Sequence, residues 1–396
     1  MTRIASAVAA IQESATLAVD RRTRALVAGG VPVISFGAGE PDFPTPPHVV
    51  AAAIAACQDP RDHHYSAAAG LAELRSAIAR KTERDSGFAV DPEQVLVTNG
   101  SKQAVAHAFT VLLDPGDQVL IPCPYWVTYP ETVRLAGGVP VAVAGDPDDG
   151  HRVGPDHLER ARTDRTRVLL LNSPVNPTGT TYTEGQLRAI GEWAAARDLW
   201  VVCDEIYEHL VYPPHRFHSL PQLVPALRPR TLLLNGVAKS YAMTGWRVGW
   251  LIAPPEVAGA AANLQSHVCG NVANVSQRAA IAALDGPTAG LLAMRQAFDR
   301  RRRLLVDGLR AIPGLRCPEP EGAFYVFPSV EGVLGRTLGG RRVTTSLELA
   351  EALLECAQVA VVPGEAFGCP GHVRLAFALA DQDLLEGVAR LSAVLG

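Results

Sequence analysis

The sequence predicts an α/β fold in which a mostly parallel seven-stranded sheet lies between helices, with a smaller α+β unit attached. Two features carry this. Seven short apolar, β-branched runs alternate with Ala-, Leu- and Arg-rich helical stretches over the first 285 residues or so, and the character changes from about residue 286 onward. The runs are "VLVTNG" (95–100), "QVLIPCP" (118–124), "VPVAVAG" (139–145), "RVLLLNSP" (167–174), "WVVCDE" (200–205), "TLLLNGV" (231–237) and "VGWLIAP" (248–254). Strands apolar on both faces, separated by helical segments such as "KQAVAHAFTVLL" and "EGQLRAIGEWAAARD", belong to a sheet covered on two sides. After 286 come a long basic helix around "MRQAFDRRRRLLVDGLRAI", the run "GAFYVF", a turn-rich stretch at 328–345, another helix, "VAVVPGEAF" and "HVRLAFA". We expect a large unit at 46–285 and a smaller one made of 286–396 completed by residues 1–45, which include "VPVISFGAGEPDF".

Composition narrows the function. A chain of 396 residues that is 48% hydrophobic and 19% charged can bury a large core. A net charge of -4 lacks the basic footprint that phosphate-backbone binding needs, so nucleic acid is not expected as a partner. Seven scattered cysteines, odd in number and without a C-x-x-C pair, argue against a disulfide framework or a zinc site and fit a reducing cytoplasm. The N-terminus lacks an unbroken apolar h-region with a cleavage site, and no stretch reaches the roughly 20 apolar residues of a membrane span. No G-x-G-x-x-G opens a first βα unit, which disfavours a dinucleotide-binding protein.

In open α/β sheets ligands sit at the carboxyl ends of the strands. The unusual residues fall there: Asn99 to Lys102, Pro124 to Trp126, Asn172 to Gly179, Asp204 to Tyr207, and Lys239. Lysine is scarce. Of 36 Lys and Arg residues only Lys81, Lys102 and Lys239 are lysines. A solvated surface charge is served equally by arginine, whereas chemistry that needs a deprotonatable amine is not. Lys239, close behind a strand, is therefore a candidate Schiff-base amine rather than an ordinary loop lysine. Asp204 ends an apolar strand, where it either caps the next segment or meets a cation such as a pyridinium nitrogen. "TNGSKQAV" is a strand, a Gly/Ser turn and a helix start, able to seat a phosphate at Gly100, Ser101 and Lys102, although any capped helix has this form. Arg247 is a second phosphate anchor or a surface ion pair. Arg374, between apolar residues of "HVRLAFA", either faces solvent on an edge strand or points inward, where it needs an anion. Trp126 and Tyr207 serve an aromatic ligand or the core. The prolines of "NSPVNPTG" mark a rigid turn that aims Asn176.

The ordered set "SFGAGEPDF", "HHYSAAAG", "VTNGSKQA", "PYWVTYPE", "NSPVNPTG", "CDEIYEHLVY", "AKSYAMTGWRVG", "EGAFYVF", "VVPGEAF" and "VRLAFA" resembles the class I aminotransferases, pyridoxal 5'-phosphate enzymes of fold type I. Within them it is most similar to bacterial aspartate aminotransferases of the branch that includes thermophile enzymes and some prephenate aminotransferases. The likeness runs from about residue 5 to 394. It implies Lys239 as the Schiff-base lysine and proton carrier, Asp204 on the pyridine nitrogen, Asn176 and Tyr207 on the phenolic oxygen, and Trp126 stacked on the ring. It puts Gly100, Ser101, Lys102 and Arg247 on the phosphate, and Arg374 and Gly39 on the substrate α-carboxylate. Tyr65 matches a tyrosine that reaches the phosphate of the neighbouring subunit, which implies a homodimer with shared sites.

Two departures from the animal-type enzymes refine this. Gly236 and Ala238 stand where those enzymes carry phosphate-binding serines, and "QSHVCGNVANVSQ" has no arginine before Arg278 to take a distal carboxylate. In the bacterial branch a lysine after the phosphate loop and a threonine of the N-terminal segment do that work, and Lys102 and Thr16 fit. Lys81, in "RKTERDSG", is expected to be an ordinary surface residue. The resemblance thus implies a transaminase exchanging an amino group between aspartate or glutamate and a 2-oxo acid such as oxaloacetate or 2-oxoglutarate, with ping-pong kinetics. The alternative is the same scaffold acting on another anionic oxo acid, prephenate or phosphonopyruvate, or with a lyase or oxidase outcome. A non-catalytic regulator is disfavoured, because no DNA-binding segment is appended to these motifs.

Overall fold

The computed structural model describes residues 4–11, 13 and 15–396; residues 1–3, 12 and 14 of the N-terminal arm lie outside the described set. In chain order, a short strand β1 (Ile34–Ser35) precedes the main sheet of β2 (Val95–Thr98), β3 (Gln118–Cys123), β4 (Val139–Ala144), β5 (Thr166–Asn172), β6 (Trp200–Asp204), β7 (Thr231–Gly236) and β8 (Gly249–Ile252). All seven apolar runs are strands of this one sheet, ordered β2-β8-β7-β6-β5-β3-β4. Only β8 runs antiparallel to its neighbours β2 and β7.

Period-two alternation gives every strand except the edge strand β4 two largely buried faces. Val168, Leu170, Val202, Leu232, Leu234 and Leu251 pack with Ala104, Val105, Ala108 and Phe109 of the helix Ser101–Leu112 on one side. Leu169, Leu171, Val201 and Cys203 pack on the other against Leu187, Ile190 and Ala194 of the helix Glu184–Ala195. That second helix starts where its pattern says it should, since Thr183 accepts a hydrogen bond from the Gln186 amide and the Gln186 side chain answers the Thr183 amide.

A second core gathers the rest. The long helix Ala289–Arg310 and the C-terminal helix Asp381–Leu395 enclose Phe298, Leu305, Leu309, Leu384 and Leu391 with Phe36 from the N-terminal segment. Here β9 (Tyr325–Val326), β13 (Val362–Pro363) and β14 (Val373–Ala376) form an antiparallel sheet in the order β13-β14-β9, while β10 (Thr337–Leu338) and β11 (Arg341–Arg342) form a hairpin. Strand β12 (Val359–Ala360) pairs in parallel with β1. Tyr207, Leu210 and Tyr212, which follow β6, belong to this same core and join it to the carboxyl edge of the main sheet.

Candidate active site

A cavity of about 360 Å³ opens at the carboxyl ends of β2, β5, β6 and β7 and beneath β14. It brings together Thr16, Gly39, Ser101, Lys102, Trp126, Asn176, Asp204, Tyr207, Lys239, Arg247 and Arg374, residues up to 358 positions apart in the chain. Gly100 borders it through the phosphate-type turn. Tyr65 does not reach it, and its side chain is 99% exposed.

Each side chain is positioned by its element. Asp204 is the last residue of β6 and is buried; its carboxylate accepts from the Tyr129 hydroxyl at 2.8 Å and from the Ile206 amide at 3.2 Å. Burial lifts its pKa to about 6, against the pull of those two donors and of Lys239. Lys239 lies just past the end of β7 with its ammonium hydrogen-bonded to the Gly39 carbonyl and 5.7 Å from the Phe324 ring centre. Desolvation depresses its pKa to about 8, with Arg374 and Arg247 adding to the fall.

Arg374, on β14, is inward and buried, not on a solvent-facing edge. It donates to the Asn176 side-chain oxygen at 3.1 Å and the Gly37 carbonyl at 2.9 Å, and among the described residues its Nε has no partner. Its guanidinium lies 4.5 Å from the Tyr325 ring centre and 5.1 Å from that of Phe367. Among the described residues no carboxylate pairs with it, a costly arrangement unless an anion arrives. Burial accordingly lowers its pKa. Tyr207 is buried with its hydroxyl 3.0 Å from that of Tyr325, and burial raises its pKa.

The opposite wall is built by the helix Ser101–Leu112. Its N-cap, Gly100, has φ +78°, and a Cβ there would come within 2.5 Å of the Arg247 guanidinium. Only glycine permits that approach, which leaves the free amides at the helix start beside a cation, a seat for phosphate. A Cβ on Gly249 would meet the Ser101 amide at 2.4 Å, and one on Gly236 the Ser101 hydroxyl at 2.8 Å. A side chain at 236 would crowd the Ser101 hydroxyl, which bonds the Asn235 carbonyl at 2.9 Å and is the hydroxyl this wall presents. The Lys102 amine stands 5.2 Å over the Trp126 ring, and burial followed by Arg247 lowers its pKa.

The family is decided by comparison. The model of aminotransferase class I and II matches residues 31–391. The chain belongs to the class I and II aminotransferases. It is 58% identical to the aspartate aminotransferase of Streptomyces avermitilis over 99% of this chain and 96% of that one. Identity to the aspartate/prephenate aminotransferase of Cereibacter sphaeroides is 44%, covering 99% and 98%. The solved aspartate aminotransferase of Thermus thermophilus with maleate superposes with a TM-score of 0.94 at 41% identity, all of both chains covered. This aminotransferase is an enzyme that works with pyridoxal 5'-phosphate, and the donor set fits that group. The cavity offers an anion seat at a helix start, a buried carboxylate in need of a cation, and a lysine whose amine is free at mildly basic pH.

Reasoning from the sequence missed three residues. Tyr129, in the first turn of the helix Thr128–Leu135 that follows Trp126, hydrogen-bonds Asp204 and stands edge-on to Trp126 at 5.3 Å. Tyr325, in "GAFYVF", backs both Tyr207 and Arg374. Lys81 is the correction: it is 2% exposed, not a surface residue. Its ammonium bonds Glu208 and lies 3.5 Å from Asp85, while Glu208 also accepts from the Asn235 side chain at 2.7 Å. Asn235 is the residue whose carbonyl holds Ser101, so this buried pair stands behind the helix-start wall. The scarcity of lysine had pointed to it, but its polar neighbours in sequence hid the burial.

Two outcomes follow from these charges. Lys81→Met leaves the buried Glu208 carboxylate without its ammonium, with the Asn235 amide still on it, and is expected to lower stability by about 3 kcal/mol, with Lys81→Met/Glu208→Gln losing less; denaturant unfolding of both variants measures it. An amine attacks an aldehyde only as the free base, which for Lys239 predominates above a pH of about 8. The rate at which cofactor-free protein takes up pyridoxal phosphate should therefore climb with pH to about 8 and then level; a climb continuing toward the ordinary lysine value near 10.4 would contradict the assignment.

Proposed function

We propose that this aminotransferase exchanges an amino group between a dicarboxylic amino acid, aspartate or glutamate, and a 2-oxo acid, oxaloacetate or 2-oxoglutarate. The observation that carries the reading is the pairing of one buried guanidinium, Arg374, which has no carboxylate partner among the described residues, with a second cation, Lys102, on the facing wall of the same cavity. Two cations on facing walls suit a molecule with two carboxylates. Arg374, with Gly39, takes the α-carboxylate bidentately, while Lys102 and Thr16 take the distal one. That the Thermus relative is described with maleate, a dicarboxylate, supports this.

When bound, pyridoxal phosphate supplies an electron sink for the charge left at the substrate Cα. Gly100, Ser101, Lys102 and Arg247 would hold its phosphate, Asp204 its ring nitrogen, Asn176 and Tyr207 its phenolic oxygen, and Trp126 its face. Lys239 anchors it and then acts as the base. Its amine, depressed to about 8, is able to take the Cα proton and hold it within the cavity. Arg374, fixed through Asn176 and Gly37, orients the substrate so that this proton faces Nζ.

The reading extends to assembly. Residues 46–285 form the cofactor-binding domain, with 1–45 and 286–396 as a smaller domain over it. Two copies associate as a homodimer, and Tyr65 of the partner subunit completes the phosphate site; the 99% exposure of Tyr65 in the single chain favours this role. Free cysteines throughout favour the cytoplasm. Among the described residues no helix is long and apolar enough to cross a membrane. Prephenate is a second acceptor to consider, since the Cereibacter relative is named for it.

The absorbance of purified enzyme tests the whole reading. Aspartate or glutamate should shift the cofactor band, and oxaloacetate or 2-oxoglutarate should restore it, whereas Lys239→Ala keeps the cofactor and loses turnover; a band indifferent to all four compounds, or an active Lys239→Ala, would sink it. Lys102→Ala should lower kcat/KM for aspartate by about 10–100-fold, the worth of a hydrogen bond to a charged group, and that for alanine by less than about 3-fold. Equal losses would remove Lys102 from the distal carboxylate.

A further inference from the structure

A cluster of metal-ligating side chains lies away from the cavity and is absorbed by none of the chemistry above. One ring nitrogen of His151, one of His372 and the Sγ of Cys369 all lie within 4.8 Å of one another. Cysteine spacing argued against a zinc site, because it showed no C-x-x-C. The fold supplies what spacing could not: Cys369 and His372 are three residues apart in the turn between β13 and β14, and His151 comes from the turn after β4.

The arrangement is tight and oriented. Cys369 Sγ is 3.5 Å from His372 Nδ1, close to the separation of about 3.5 Å that N and S ligands have when they share a tetrahedral zinc at about 2.0 and 2.3 Å. The His372 ring is stacked on Phe327, 5.0 Å between centres and 9° from parallel, which fixes its plane. Its Nδ1 is also 3.1 Å from the Pro370 carbonyl, a contact it would exchange for the ion. The His151 ring stands edge-on to His372 at 5.3 Å, and His151 sits at φ +62°, a left-handed conformation that a residue other than glycine adopts at a cost. Charge around the cluster favours a cation: Asp146 acts on His151 and Glu331 on both His372 and Cys369, against one guanidinium, Arg316. The other group of this kind, Asp85, Glu208 and His209, already holds a cation, the Lys81 ammonium.

The geometry points to a zinc-type site at His151, Cys369 and His372 that binds one borderline-soft divalent cation and pins the turn after β4 to the turn before β14. Two imidazoles and a thiolate form a set that zinc accepts with water as the fourth ligand, and that magnesium or calcium, which prefer oxygen, do not. Arg374 is two residues beyond His372, so the ion would brace the strand that carries the α-carboxylate anchor.

The test uses the holoenzyme, stripped by a chelator, given excess Zn²⁺ and desalted. Elemental analysis should find one zinc per chain, and X-ray absorption at the zinc edge should show a shell with one sulfur and two imidazole nitrogens. Cys369→Ser and His151→Asn, the latter tolerant of the left-handed φ, should each weaken zinc affinity at least about tenfold while keeping the cofactor absorbance that reports a folded enzyme. No retained zinc, a shell without sulfur, or equal zinc in the folded variants would overturn the site.

Discussion

A desolvated charge must find a counter-charge or remain a standing cost, and this molecule gathers several such charges at one edge of its sheet. Arg374 is enclosed by Tyr325 and Phe367 with only neutral acceptors. Asp204 is buried at the end of β6 with only neutral donors on its carboxylate. Neither would persist on a loose scaffold. The two cores, one around the seven-stranded sheet and one around the long helix Ala289–Arg310, hold these groups apart in a cavity that a zwitterionic, phosphate-bearing cofactor and a carboxylate substrate can neutralise.

Behind the cavity the same rule is met differently. Lys81 and Glu208 are buried as partners with the half-buried Asp85 beside the ammonium, and Glu208 extends the chain of contacts to Asn235 and so to Ser101. A satisfied polar network of this kind specifies one arrangement of the wall it supports, because any shift leaves a buried group unpaired. The close approaches at Gly100, Gly236 and Gly249 serve the same end by leaving the helix start no room to drift.

Much of this was legible in the chain. Seven apolar runs became seven strands of one sheet, because burial on both faces writes an unbroken hydrophobic stretch. Asn176, Asp204, Lys239 and the Gly100 turn stood out because each follows such a run, where the backbone must leave the sheet and its side chains meet the crevice. What stayed illegible depended on partners distant in sequence. Arg374 read equally well as an edge residue or an inward one, and Lys81 read as a surface residue, since neither sequence neighbourhood records what the fold packs against it.

The sequence by itself therefore determined the sheet, the helices on its two faces and the set of residues at its carboxyl edge, all consequences of local periodicity and rare residue types. The tertiary structure alone decided which charges lose their water, which of them are paired, and that His151 meets Cys369 and His372 across more than two hundred residues. The reason is physical: desolvation and Coulomb energy depend on distance and surroundings in space, and those exist only once the chain has folded.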